Sequence, residues 1–162
     1  MELVIATDGA CHQNPDGVAA WAWYMDSSNW KVGSFEKASN NVVELTAIIE
    51  ASKEVIDYDG PVRILSDSQY AIKSLRVWSK KWESYNWQKL NANKAGSFEI
   101  ANLEIIKEGY YLLKNKDNIK LEWVKGHSGH PLNEAADSLA TGTVQRVLNN
   151  KTFNTGPGYT GR

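Results

Sequence analysis

A chain of 162 residues, 42% apolar and 23% charged, has the size of one domain and the composition of an ordinary globular protein. Its formal net charge of −1 excludes a global basic field, so any grip on a polyanion must come from a local patch. The single cysteine, Cys11, excludes an intrachain disulfide and permits a reducing compartment, and no apolar run approaches the roughly 20 residues of a membrane span. The N-terminus reads as a strand rather than a secretory leader, which makes a cytoplasmic location the expectation.

The first predicted strand runs from Leu3 and stops at Asp8 and Gly9, an apolar run closed by a carboxylate and a turn residue. Asp8 is expected where the strand leaves the core, either as a turn residue or as a cation ligand. Residues 62–68 repeat the pattern, an apolar run ending in Ser66, Asp67 and Ser68. Two strands that finish alike can set two carboxylates side by side, and such neighbours repel unless they share a proton or a metal. Between them, residues 18–25 and 30–35 read as strands of an antiparallel meander, joined by a polar turn at 26–29. Val42, Leu45, Ile48, Ile49, Val55 and Ile56 follow helical spacing, with Asn40 or Asn41 as the expected N-cap and Glu44 in the first turn.

Ser68 is expected to cap a second helix carrying Tyr70, Ala71, Ile72 and Leu75. From 76 to 95 aromatics interleave with cations: Trp78, Lys80, Lys81, Trp82, Tyr85, Trp87, Lys89 and Lys94. Lys73 and Arg76 add to this basic patch, whose only acid is Glu83. Such clusters grip nucleic-acid backbones, or else form a helical hairpin whose tryptophans pack on one another. A third helix is predicted over 98–114, a strand over 119–124, a glycine-rich loop at 125–131, and a last helix over 132–148 that carries Asp137 about one turn in. The tail from 149 onward is expected to be flexible. The element order is that of an α/β protein with a mixed sheet, a meander followed by helical crossovers to parallel strands.

Five blocks then occur in one order: Thr7-Asp8-Gly9-Ala10-Cys11; Asn40-Asn41-Val42-Val43-Glu44-Leu45; Ser66-Asp67-Ser68-Gln69-Tyr70; Trp123 to Pro131 with Gly126-His127-Ser128-Gly129-His130; and Asn133-Glu134 with Asp137. Together they resemble type 1 ribonuclease H over about residues 2–148. The resemblance implies a ribonuclease H-like fold, a five-stranded mixed sheet flanked by helices. It also implies hydrolysis of the RNA strand of an RNA·DNA hybrid to 5′-phosphate and 3′-hydroxyl ends. It makes 1–149 the catalytic domain, with a basic protrusion at about 76–95 and a tail at 150–162.

By that resemblance Asp8, Glu44, Asp67 and Asp137 are the metal-binding carboxylates for two Mg²⁺ ions, with Mn²⁺ as a substitute. His127 is the loop histidine that moves a proton or helps eject product. Asn14, Asn40 and Gln69 would read the RNA strand, helped by backbone around Gly9 and Cys11. Ser39 and Asn102 would hold a DNA phosphate, and Trp78, Lys80, Lys81 and Trp82 belong to the basic protrusion. His130 is expected to be structural. The chain departs from the family's usual pattern in a turn at 16–20 with few glycines, in Ser39 where threonine is common and in Lys37 where arginine is. The expected partner is the hybrid, with the protein a monomer and no membrane contact.

Integrases, transposases and exonucleases share such a fold and acidic cluster, but they predict another spacing of acids and no loop like 126–130. A non-catalytic binding module should have lost an acid, and all four are present. A domain of a reverse transcriptase is a third reading, against which Met1 argues.

Overall fold

The computed structural model describes residues 1–14, 17–90, 97–98 and 100–150. Pro15 and Asp16 of the predicted turn, Lys94 of the basic segment and the tail at 151–162 lie outside the described residues.

Strands β1 (Leu3–Cys11), β2 (Gly17–Asp26) and β3 (Asn29–Ala38) form the meander. The turn between β2 and β3 is held by Asp26, whose Oδ1 accepts from the Ser28 N–H at 2.8 Å and from the Asn29 amide at 2.9 Å. Helix α1 (Asn40–Glu54) crosses to β4 (Val62–Ser66), which lies parallel to β1. Helix α2 (Gln69–Lys73) runs through a π-helical stretch, Ser74–Trp78, into α3 (Ser79–Ser84), with helical dihedrals at each junction. A two-residue pair, β5 (Lys89–Leu90) and β6 (Ser97–Phe98), precedes α4 (Leu103–Leu113), β7 (Ile119–Trp123) and α5 (Pro131–Asn150). The main sheet has the order β3-β2-β1-β4-β7, antiparallel in the meander and parallel from β1 to β7. This is the predicted five-stranded mixed sheet.

Strand alternation sends the two faces to different helices. Ile5, Trp21, Trp23 and Ile64 pack with Val43, Ile48, Leu75 and Ile106 of α1, the π-helical stretch and α4. Each large aliphatic side chain buried there contributes roughly 1.5–3 kcal/mol. The other face is lined by small residues: Ala6 and Leu65 meet Ala136, and Ala22 and Val32 meet Ala140. Alanines on both sides let α5 lie close against the sheet.

Among the boundaries that differ from expectation, four bear on the acids and their helices. β1 does not stop at Asp8 but continues to Cys11, because β2 keeps pairing with it as far as Cys11↔Ala19. The N-cap of α1 is Ser39, neither Asn40 nor Asn41: Ser39 has extended dihedrals and its Oγ accepts from the Val42 N–H at 3.2 Å. With the helix starting at Asn40, Glu44 is its fifth residue and lies beyond the first turn, where the helix dipole has faded. The third helix starts at Leu103 rather than 98, because Asn102 sits at φ 60° in the left-handed region and breaks the helical path. α5 spans Pro131–Asn150, longer than predicted at both ends, so Asp137 is its seventh residue and lies nearer two turns in than one.

Candidate active site

Register explains why carboxylates converge. β1 is flanked by β4 only through Ala6↔Leu65 and by β2 alone beyond that point. The gap opens where β4 ends and the chain turns at Ser66, Asp67 and Ser68. Thr7 closes the last rung, its hydroxyl donating to the Leu65 carbonyl at 2.8 Å. Asp8 has the same strand parity as Val4 and Ala6, which pack in the α5-facing cluster, and the charge of Asp137 on α5 helps to raise its carboxyl. Glu44 arrives from α1 on the opposite side of the sheet. It can do so because residue 9 is glycine: a Cβ there would lie 2.6 Å from Val43 Cγ2 and 3.0 Å from the Glu44 nitrogen. Asp8, Glu44 and Asp67 thereby each offer a carboxylate oxygen within 4.8 Å of the others.

The cluster is not neutralised by protein cations, since no ion pair among the described residues includes its members. Burial, and then the charge of Asp67, push the Asp8 carboxyl up to about 8. The Gly9 N–H, donating to Asp8 Oδ1 at 2.9 Å, opposes that rise. Glu44 is pushed well above the usual carboxylate range by burial first, then by Asp8 and Asp67. Its Oε1 is buried with no hydrogen-bond partner. An all-oxygen donor set, half-buried, mutually repelling and with one orphaned oxygen, fits a hard divalent cation such as Mg²⁺.

Asp67 lies just past β4, and three contacts from the end of β7 surround it. The Val124 N–H donates to the Ser66 carbonyl at 2.9 Å, and the Trp123 indole N–H donates to the Asp67 carbonyl at 3.1 Å. A Cβ at Gly126 would stand 2.6 Å from Asp67 Oδ2. On the other side, the Ser68 N–H donates to Ser66 Oγ at 3.0 Å, and Ser68 Oγ caps α2 at Ala71, as predicted. The roles of Trp123 and Gly126 at Asp67 had no signal in the sequence, because their partners are a remote backbone carbonyl and an empty Cβ position.

The remaining candidates fall into groups. Asn14, Cys11, Ser39 and Asn40 gather at the start of α1: Asn14 Oδ1 accepts from the Asn40 N–H at 2.9 Å, and Cys11 Sγ donates to the Ala38 carbonyl at 3.0 Å. Gln69 is exposed at the start of α2. Asn102 donates its amide to the Tyr70 hydroxyl at 3.0 Å, Tyr70 packs edge-on to Trp78, and Trp78 packs on Trp82 with ring centroids 5.9 Å apart. Trp87 packs on Tyr110 and Tyr111 and donates to the Tyr111 hydroxyl. The tryptophans of the basic segment thus do pack on aromatic neighbours, while Lys80 and Lys81 stay exposed. Arg76 leaves the basic patch altogether: its guanidinium donates to the carbonyls of Leu113, Lys116 and Ile119 behind α4. His127 is exposed at φ 55° on the loop before α5. His130 takes the structural place expected of it, its Nδ1 accepting from the Asn133 N–H at 3.4 Å at the start of α5.

A mixed sheet of this order, with carboxylates where β1 and β4 part, defines the ribonuclease H-like fold, and solved structures agree. A type 1 RNase H with the type 2 active-site motif superposes with a TM-score of 0.67 at 23% identity, over 96% of this chain and 75% of the other. The foamy viral protease–reverse transcriptase in complex with double-stranded DNA gives a TM-score of 0.69 at 21% identity, over 86% and 91%. Sequence similarity reaches further than fold. The RNase H family model matches residues 1–145. Ribonuclease H of Tropheryma whipplei strain Twist is 42% identical over 161 residues, 99% of this chain and 96% of its own. Ribonuclease H of Ruthia magnifica is 32% identical over 148 residues, 90% and 97%. The chain belongs to the ribonuclease H family, metal-dependent hydrolases that cleave the RNA strand of RNA·DNA hybrids.

Proposed function

We propose that this enzyme cuts the RNA strand of RNA·DNA hybrids internally, with two divalent cations held by Asp8, Glu44, Asp67 and Asp137, leaving 5′-phosphate and 3′-hydroxyl ends. The observation that carries the reading is the convergence of the Asp8, Glu44 and Asp67 oxygens within 4.8 Å around an unpartnered Glu44 Oε1. Bound Mg²⁺, or Mn²⁺ in its place, supplies charge compensation at the scissile phosphodiester and acidifies a water. Asp8, which clusters with Glu44 and Asp67 and whose carboxyl also feels the charge of Asp137, would contribute to holding both cations. His127, exposed on a glycine-flanked loop, carries a proton away from the reacting centre or aids product release.

Asn14, Asn40 and Gln69 read the RNA strand through amides that both donate and accept, with the backbone at Cys11 beside them. Ser39 and Asn102 hold a phosphate of the DNA strand. Trp78, Lys80, Lys81 and Trp82 supply the local basic and aromatic surface that a net charge of −1 hides. The catalytic unit is residues 1–149 and acts as a monomer. A single free cysteine suits a reducing, cytoplasmic setting, and no described helix is long and apolar enough to cross a membrane.

The test is a labelled RNA·DNA hybrid beside RNA·RNA and DNA·DNA duplexes, with Mg²⁺ or EDTA. The expected result is metal-dependent internal cuts confined to RNA of the hybrid and lost in Asp67→Asn. Binding without cleavage under any divalent metal, or cutting of DNA, overturns the reading.

A further inference from the structure

We infer that Trp123 and Gly126 form a clamp that fixes Asp67 for cation binding, so that residues 123–126 set the affinity of the site without touching the cation. The inference rests on the metal-site reading above. Its physical ground is the position of Asp67. Residue 67 follows the last rung of the parallel pairing between β4 and β7, Ser66↔Trp123. Asp67 therefore has no strand ladder to hold it, yet its carboxylate must keep station with those of Asp8 and Glu44.

The end of β7 supplies what the ladder does not. The Val124 N–H anchors the Ser66 carbonyl at 2.9 Å, one residue before the acid. The Trp123 indole N–H takes the Asp67 carbonyl at 3.1 Å, which fixes the peptide plane on the far side of its Cα. Trp123 is 47% exposed, so this large aromatic is not kept there by burial in the core. Its polar edge has its acceptor in the turn after β4. Gly126 completes the clamp by absence: a methyl group at 126 would fall 2.6 Å from Oδ2, the far end of the Asp67 side chain. The easiest relief of that clash is to swing the carboxylate, not to move backbone or core. Substitution at 126 is thus aimed at the cation ligand and leaves the fold in place.

The same four residues lead directly into the loop that carries His127, at φ 55°. The clamp ties the start of that loop to a metal-binding carboxylate from another strand. Trp123 and Gly126 are positioning residues, and their effect runs through Asp67. Contacts outside the ligand set commonly tune metal affinity by about 10- to 100-fold.

The test is calorimetric titration of the full chain with Mg²⁺ and with Mn²⁺, without nucleic acid, beside thermal unfolding of the metal-free protein. Gly126→Ala is expected to bind either ion about tenfold more weakly or worse, with the metal-free melting temperature unchanged. Trp123→Phe keeps the ring and loses the N–H, and is expected to weaken binding about fivefold, the worth of one neutral hydrogen bond. Should Gly126→Ala fail to fold, Trp123→Phe alone decides. Wild-type affinity retained in Trp123→Phe, or in a folded Gly126→Ala, overturns the clamp while leaving the metal site standing. A wild type that binds neither ion overturns the metal-site reading, and the clamp with it.

Discussion

Two regions of this molecule handle charge in opposite ways. At the parting of β1 and β4 the chain sets acids against one another, leaves Glu44 Oε1 without a partner and, among the described residues, offers no ion pair in compensation. Along the α2–α3 rod the chain does the reverse. Glu83 accepts from the Tyr110 hydroxyl at 2.9 Å and pairs with Lys114 at 3.1 Å, Arg76 donates to three carbonyls, and Trp87 lies against Tyr110 and Tyr111. The first region is stable only at the expense of its ionisation, and a cation relieves it. In the second, Glu83 and Arg76 have their partners, and Lys80 and Lys81 are left outward on that support. Unmet electrostatics mark where chemistry happens, and met electrostatics mark what holds the platform.

The sharpest break in this contrast is Asp67→Asn. Removing one ligand from the unsatisfied region is expected to lower hybrid cleavage on the order of 10³-fold, measured as single-turnover rate at saturating Mg²⁺. The same region makes a prediction of unusual sign. The Asp8 carboxyl titrates near 8 in the fold against 3.8 when free, so the unfolded chain releases a proton that the folded chain keeps. The stability contributed is fully present below about pH 4 and is lost as the pH rises through 8. Urea unfolding of the metal-free protein should show that fall, and saturating Mg²⁺ should flatten it. Asp8→Asn should raise metal-free stability at pH 8 and change it by almost nothing at pH 4.

In the second region, truncation of a paired or packed side chain should destabilise instead. Arg76→Ala removes three charged donations, although the Leu113 and Lys116 carbonyls keep the backbone N–H groups of Lys116 and Ile119, and is expected to cost about 2 kcal/mol in urea unfolding, with cleavage by the remaining folded protein unaltered. Trp87→Ala should cost about 2 kcal/mol and raise KM for the hybrid more than it lowers kcat, since the rod loses its seat on α4. The smallest effect is expected from Lys80→Ala with Lys81→Ala. Stability should not change, and the dependence of log binding constant on log salt should become shallower by about 1–2.

The sequence by itself determined the elements and the chemistry. Apolar runs ending at Asp8 and at Asp67, helical spacing from Val42 onward and the glycine-rich stretch around His127 need no partner to be legible, because strand and helix periodicity are local properties. Asp8 and Asp67 were legible for the same reason, whereas Glu44 and Asp137 lie inside helices and were marked only by the family resemblance. Tertiary structure decided what depends on a second chain segment. Ser39 rather than Asn40 caps α1 because β3 runs on to Ala38, which leaves Ser39 as the one residue between strand and helix. Arg76 reads as part of a basic patch until α4 and β7 present three carbonyls to it. Trp123, an ordinary strand residue in the sequence, acquires its role from the Asp67 carbonyl, a backbone group 56 residues away that no side-chain pattern encodes. Gly9 and Gly126 matter through the space they leave for Val43 and Asp67, and the use of an empty position appears only when the neighbouring segments are in place.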